Sequence, residues 1–182
     1  MTVPDPAPDV SDAMLVSSFR AGDERAATEL VRRHAGPLGR FLYASGAPEA
    51  DLEDLVQETF LKAFRALDGW RGDASFRSWL FRIGGNLRKD WFRRDRGKVV
   101  VSLLDTDLTD RADPAGEAEA REAGERIREG IARLPRLQRE VFLMRTQQAM
   151  DYQEIAAALD TTSGAARVHY HHAVKRLKEL IA

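Results

Sequence analysis

The sequence predicts an all-α fold of two small helical domains joined by an acidic linker, on three observations. Apolar residues recur at helical spacing over most of the 182 residues. Strand-like alternation and runs rich in Val, Ile and Thr are absent outside the brief Val99-Val-Val101. The stretch from Asp151 to Leu180 reads as a helix, a Thr-Thr turn and a second helix rich in Arg and His, which is a helix-turn-helix.

Residues 1–10, rich in Pro and Asp, read as a disordered tail. From Ser11, the sets Leu15 and Phe19, then Ala27, Leu30 and Val31, then Leu38, Phe41 and Leu42 predict short packed helices, broken at Gly22 and at Gly36-Pro37. Leu52, Leu55, Val56, Phe60, Ala63 and Phe64 predict a helix that runs to Leu67 and is stopped by the loop Asp68-Gly-Trp-Arg-Gly-Asp-Ala74. A further helix carries Phe76, Trp79, Leu80, Ile83, Leu87 and Trp91, and the first domain, 11–98, closes near Lys98. Residues 99–120 have little periodicity and read as the linker, with helix resuming at about Glu117. The second domain, 121–182, is expected to be a bundle of about four helices that includes Ile127, Ile131 and Leu134, then Leu137, Val141, Phe142 and Met144.

The helix-turn-helix is the best-delimited element. Asp151 and Glu154 form a capping-box-like start, and Ile155 and Leu159 share one helical face. Thr162 or Ser163 is the expected N-cap of the second helix, whose buried stripe is Ala166, Tyr170, Ala173 and Leu177. Arg167, Val168, His171 and Lys175 are left facing outward, and no acid occurs between Thr161 and Lys178. Such a face suits a nucleic-acid groove.

Composition narrows the class further. Without cysteine there is no disulfide framework and no thiolate metal site. The N-terminus lacks the basic and apolar regions of a signal peptide, and no apolar run approaches the roughly 20 residues of a membrane span, so an intracellular, cytoplasmic protein is expected. A net charge of -1 conceals a strong partition. Five acids and no base lie between Glu49 and Glu58, and eleven Lys or Arg against four acids between Lys62 and Lys98. Eight acids against two Arg follow between Val99 and Glu125. Segments of opposite sign imply different partners for different segments.

Four motifs in order carry a family resemblance: Asp54-Leu-Val-Gln-Glu-Thr-Phe60; Phe76-Arg-Ser-Trp-Leu-Phe-Arg-Ile83 with Asn86 and Asp90; Leu134-Pro-Arg-Leu-Gln-Arg-Glu-Val141; and Tyr152-Gln-Glu-Ile-Ala156. On them the chain resembles the extracytoplasmic function (ECF) subfamily of sigma-70-type RNA polymerase sigma factors. The resemblance implies that residues 11–98 are sigma region 2, which binds core polymerase and recognises and melts the minus-ten element. It implies that 121–182 are region 4, which reads the minus-thirty-five element, and that the linker enters the polymerase's RNA channel. An anti-sigma factor is the further partner implied.

Residue by residue, Asp54, Gln57 and Glu58 form an acidic and amide face that would alone pass for solvated helix surface. The resemblance assigns it to the coiled coil of the largest polymerase subunit. The loop Gly72, Asp73, Ala74, Ser75 and Phe76, with Asn86, Arg88, Lys89 and Arg93, is implied to hold minus-ten DNA. Aromatics interleaved with cations suit bases and phosphates of a single strand, while Trp79 and Ile83 fall on the packing stripe. Arg167, Val168, His171, His172 and Lys175 are the implied minus-thirty-five contacts. Here Gly164-Ala-Ala-Arg-Val-His169 departs from the family's usual Gly-Thr-Val-Lys/Arg-Ser-Arg.

His169 and His172 give one same-face pair without a third ligand, so no metal site is expected. Neither is a cofactor, a small-molecule substrate or a catalytic constellation, and the chain reads as non-enzymatic. No further C-terminal domain is expected beyond Ala182. Two other classes compete with the sigma reading: a self-sufficient dimeric DNA-binding regulator, and a module that binds only proteins. The aromatic and basic run from Trp70 to Arg94 speaks against the first, and the acid-free recognition helix against the second.

Overall fold

The computed structural model describes residues 10–94 and 114–181, and these are helices and short connections. The first group comprises α1 (Asp12–Arg20), α2 (Glu24–Ala44), α3 (Glu49–Ala66), a single 3-10 turn (Leu67–Gly69) and α4 (Phe76–Arg94). The second comprises α5 (Pro114–Arg133), α6 (Arg136–Thr146), α7 (Tyr152–Leu159) and α8 (Ser163–Ile181). Nearly all of the expected tail and most of the expected linker fall outside the described residues. Helix is already present from Pro114, three residues ahead of the expected restart, with proline in the first helical position, where its missing N–H costs nothing.

Side-chain caps fix most of the helix starts. The Ser11 hydroxyl accepts from the Met14 amide at 3.3 Å, and Asp23 accepts from the Arg25 amide at 3.0 Å. Ser75 closes the loop before α4 by accepting from the Ser78 amide at 3.2 Å. Each such cap satisfies an amide that the first turn leaves without a partner.

The expected break at Gly36-Pro37 does not occur: α2 runs through Pro37 without interruption. An internal proline removes one helical hydrogen bond and costs about 3 kcal/mol or more. Leu30, Leu38, Phe41 and Leu42, all fully buried, lie on both sides of the proline and need one continuous helix to share a core. Their burial outweighs the local penalty, at about 1.5–3 kcal/mol per large apolar side chain.

One apolar core spans both helical groups. Leu15, Leu38, Phe41, Phe60, Phe76, Leu80 and Phe81 of the first group are continuous with Val141, Leu143, Met144, Met150 and Ile155 of the second. A smaller cluster of Leu134, Ala173 and Leu177 holds α8 to the α5–α6 corner. The helix α4 is central, packing on α2 and α3 on one side and on α7 on the other.

That centrality depends on a close approach. A Cβ at Gly84 would sit 3.0 Å from Leu38 Cδ1 and 3.4 Å from Thr59, both fully buried, whereas a Cβ at Gly85 would meet nothing within 4 Å. At the N-terminal end, α1 is latched to α2 by Asp12, whose Oδ2 lies 2.7 Å from His34 Nε2, with Arg33 Nη1 3.4 Å from Oδ1. His34 in turn packs its ring against Phe76 at 5.5 Å. Burial works to raise the Asp12 carboxyl, but the hydrogen bond and charge of His34, followed by those of Arg33, hold it below its ordinary value.

Gly84→Ala is therefore expected to destabilise the chain by about 1–3 kcal/mol despite alanine's better helix propensity. Gly85→Ala should instead gain about 0.5–1 kcal/mol, and urea denaturation of the two variants reads the difference. For Asp12 the sign follows from the lowered folded value. Its contribution is complete above the unfolded carboxyl's 3.8 and is lost as pH falls through the lower folded value. The stability gap between the wild type and Asp12→Asn should thus shrink as pH falls below about 4.

Candidate nucleic-acid and protein interfaces

Three surfaces correspond to the residues singled out in the sequence. The first is the acidic face of α3. Asp54, Gln57 and Glu58 are all exposed, and Glu58 reaches Lys62 at 3.5 Å across one helical turn. Beside them α2 and α3 enclose an apolar groove of about 650 Å³, floored by Val31, Leu52, Val56, Phe60 and Phe64 and rimmed by Glu49, Glu53 and Gln57. Leu61 at its edge is 49% exposed, a large apolar side chain left in water next to three carboxylates or amides. A dry floor with an acidic rim suits an amphipathic helix with basic flanks.

The second surface is the loop before α4 and α4 itself. Gly72, with φ of 81°, makes the turn in the left-handed region. Gly72, Asp73 and Ser75 are exposed and Ala74 is half-buried. Trp70 holds the loop closed by donating its indole N–H to the Ala74 carbonyl at 3.2 Å. Arg20, from α1, donates to the Trp70 carbonyl at 2.7 Å and also to that of Leu67, and its guanidinium lies over the Trp70 ring. Nothing in the local sequence marks Arg20, because the carbonyls it binds are about fifty residues away.

Two of the expected minus-ten residues are not on the surface in this arrangement. Phe76 is 1% exposed, ringed by His34, Trp70 and Trp79, so it supports the loop from beneath and offers no face for stacking a base. Arg88 is 4% exposed, donating to the Ser45 carbonyl at 2.8 Å and to Glu140 Oε1 of α6 at 2.5 Å. Burial pushes the Arg88 guanidinium below its usual value, while the Glu140 charge works in the opposite direction. Asn86 and Arg93 are exposed, and Lys89, whose ammonium is lowered chiefly by burial, reaches Asn86 Oδ1 at 3.2 Å. Phe81, read with the aromatic and basic run, is fully buried against Phe41.

The third surface is the helix-turn-helix. Asp151 and Glu154 form a complete capping box, with Asp151 Oδ1 accepting from Gln153 and Glu154 amides and Glu154 Oε2 accepting from the Asp151 amide at 3.0 Å. The chain leaves α7 through Asp160 in the left-handed conformation, and Thr162 caps α8 by accepting from Ala165 at 3.1 Å. Ala166, Ala173 and Leu177 are buried and Tyr170 is half-buried, stacked on Phe142. Arg167, Val168, His171, His172 and Lys175 all face solvent. Arg167 is steadied by the Tyr152 ring, 5.3 Å from its guanidinium, a ring that Arg145 also approaches at 5.2 Å. Exposed cations around a rigid aromatic platform can reach phosphates and base edges.

Among the described residues no group of three or more His, Cys, Asp or Glu is arranged to hold a metal, and no helix is long and apolar enough to cross a membrane. Sequence reasoning missed the partners that join the two helical groups. Glu154 receives Arg77 through both carboxylate oxygens at 2.9 Å, Arg77 also donates to the Gln148 carbonyl at 3.0 Å, and Arg82 meets Asp160 at 3.1 Å.

Comparison with known proteins places these surfaces in a family. Residues 30–98 match Sigma-70 region 2, and residues 124–177 match Sigma-70, region 4. The chain is 35% identical over 175 residues to the RNA polymerase sigma factor NccH of Alcaligenes xylosoxydans xylosoxydans, covering 93% of this chain and 94% of that one. It is 31% identical over 168 residues to the ECF RNA polymerase sigma-E factor of Escherichia coli K12, covering 87% of each. Among solved structures it resembles CnrH in complex with the cytosolic domain of CnrY, with a TM-score of 0.72 at 30% identity over 93% of this chain and 96% of that one. The sigma factor RpoE of Bartonella quintana shares the fold, with a TM-score of 0.69 at 22% identity over 85% and 95% of the two chains. With both sigma regions matched in order and relatives aligned along nearly its whole length, the chain belongs to the ECF subfamily of sigma-70-type RNA polymerase sigma factors.

Proposed function

We propose that the protein binds bacterial core RNA polymerase and directs it to promoters, where it recognises two upstream elements, melts the DNA and starts transcription at a specific set of genes. The presence of regions 2 and 4 in one chain carries this reading, because one module alone would bind polymerase or DNA without positioning one on the other. Asp54, Gln57 and Glu58, with the groove beside them, are assigned to the coiled coil of the largest polymerase subunit. An acidic face opposite a basic partner speeds and orients docking.

The loop from Gly72 to Ser75, together with Asn86, Lys89 and Arg93, is assigned to the minus-ten strand, with Phe76 shaping the loop from below. Arg88, implied by the resemblance for the same role, is paired with Glu140 in this arrangement and stays beneath that surface. Melting proceeds by capture of the separated strand, each flipped base costing a few kcal/mol that contacts in the loop must return. The protein contributes no catalytic step of its own and needs no cofactor. Arg167, Val168, His171, His172 and Lys175 are assigned to the minus-thirty-five element, with Val168 fitted to a thymine methyl and Arg167 to guanine or phosphate. Its place of action is the cytoplasm, where the polymerase works. The relative CnrH is solved with the cytosolic domain of CnrY, which supports an anti-sigma partner for this chain as well.

The decisive experiment is run-off transcription of fragmented genomic DNA by purified core polymerase with and without this protein, mapping the new starts. Discrete starts sharing two upstream motifs are expected; binding of duplex DNA by the protein alone with no starts would replace the sigma reading by that of an independent regulator. In the same assay Asp54→Ala with Gln57→Ala should weaken all promoters by a common factor. Arg167→Ala should instead re-rank promoters by their minus-thirty-five sequences, by about 1–3 kcal/mol at the affected base pair, with core binding unchanged.

A further inference from the structure

The helix α1 braces the loop before α4 at both of its ends, although it lies ahead of residues 30–98, the stretch that matches Sigma-70 region 2. From its last turn, Arg20 Nη2 donates to the Trp70 carbonyl at 2.7 Å and to the Leu67 carbonyl, and the guanidinium lies over the Trp70 ring, 6.0 Å from its centre. From its first turn, Asp12 Oδ2 stands 2.7 Å from His34 Nε2, and the His34 ring packs against Phe76 at 5.5 Å. Trp70 and Phe76 also meet edge to face, 6.3 Å apart at 84°. About 12 Å of helix therefore separates two supports of one loop.

The two supports differ in what they hold. Asp12 and His34 act on Phe76, a buried side chain. Arg20 acts on backbone: the carbonyls in and just after the 3-10 turn carry partial negative charge, and one guanidinium nitrogen gives charge-assisted hydrogen bonds to two of them. With its carbonyl and its ring face both held, Trp70 aims its indole N–H at the Ala74 carbonyl, 3.2 Å away. Gly72, in the left-handed region, lies inside that bridge.

Fixing a free loop costs backbone entropy for every residue ordered, and here the ordering is complete before any DNA arrives. A loop that cannot rearrange around a wrong base leaves polar groups of that base unpaired, whereas a slack loop adapts to it. We propose that Arg20 is a positioning residue for minus-ten reading: acting through Trp70, it holds Gly72 to Ser75 in one shape and so sets how strictly the captured base is chosen. The inference rests on the assignment of that loop to the minus-ten strand.

The test is made with the full chain and core polymerase on a promoter mapped by run-off transcription, randomised in turn at the minus-ten and minus-thirty-five elements, with the transcripts sequenced. Arg20→Met removes the donor and keeps the aliphatic stem, and Trp70→Phe keeps a ring and removes the N–H. Each should lower the preference for the favoured base at one minus-ten position by about fivefold, the size of one net hydrogen bond, while the minus-thirty-five ranking stays as in the wild type. Arg20→Lys should restore most of the preference, because an ammonium also has donors for two carbonyls. The double variant Arg20→Met with Trp70→Phe should lose no more than the worse single one, since both act on the same bridge. Trp70→Phe carries the test by itself if Arg20→Met does not fold.

An equal loss at every minus-ten sequence would overturn the proposal, because it is the mark of a phosphate contact or of general destabilisation. Unchanged base preference in Trp70→Phe, or losses that add in the double variant, would do the same. A wild type that starts no transcripts with core polymerase removes the sigma assignment and this inference with it, whereas normal wild-type starts with unaltered preference in the variants remove the inference alone.

Discussion

Everything in this molecule turns on α4, and α4 is placed by what surrounds Arg88. Its guanidinium lies between the Ser45 carbonyl at the end of α2 and the Glu140 carboxylate of α6, with both side chains almost wholly out of water. Withdrawing two charges from water costs several kcal/mol per ion, so such a pair adds little net stability. What it adds is uniqueness: a shifted register of α4 would leave a buried charge without a partner. Gly84 allows α4 to approach Leu38 and Thr59 closely enough for the geometry to close, and the apolar core then runs on from Phe81 and Leu87 to Val141 and Ile155.

The parts of this arrangement that were legible in the sequence are those whose physics is local. The helix-turn-helix was announced by Asp151 and Glu154, three apart, and by the spacing of Ala166, Tyr170, Ala173 and Leu177; each is a statement about one or two turns of helix. The acidic face of α3 could be read in the same way, from the helical spacing of Asp54, Gln57 and Glu58. Pro37 misled because local propensity favours a break there, and only the buried side chains on both sides of it show why the helix continues. Glu140 was invisible for a related reason. Within Arg136-Leu-Gln-Arg-Glu140 it looks like one more charge on a solvated turn, and its partner Arg88 lies 52 residues earlier in the chain. Phe76 sits in a run of aromatics and cations, a pattern that fits base stacking as well as core packing, and only tertiary burial decides between them.

Charge distribution connects the fold to the proposed role. The whole chain carries a net charge of -1, a poor signature for a DNA-binding protein. In the folded molecule the cations are nevertheless not equivalent. Those of α4 that lie nearest region 4 are paired with its carboxylates, while Arg167 and Lys175 of α8 remain exposed and meet no carboxylate among the described residues. The sign of the surface offered to DNA thus depends on whether the two helical groups are together, a property that no segment-by-segment charge count contains.

The same distinction separates the two faces of region 2. The groove between α2 and α3 is lined by Val31, Leu52, Val56, Phe60 and Phe64, and none of these takes part in the ion pairs that join region 2 to region 4. The groove is therefore built by region 2 alone, from the spacing of apolar residues on two neighbouring helices. The charge that α4 shows to solvent is not, because Arg77, Arg82 and Arg88 each meet a carboxylate of region 4. On the proposed assignments, the polymerase-facing surface is thus a local property of two helices, while the cations of α4 take their surroundings from both halves of the molecule.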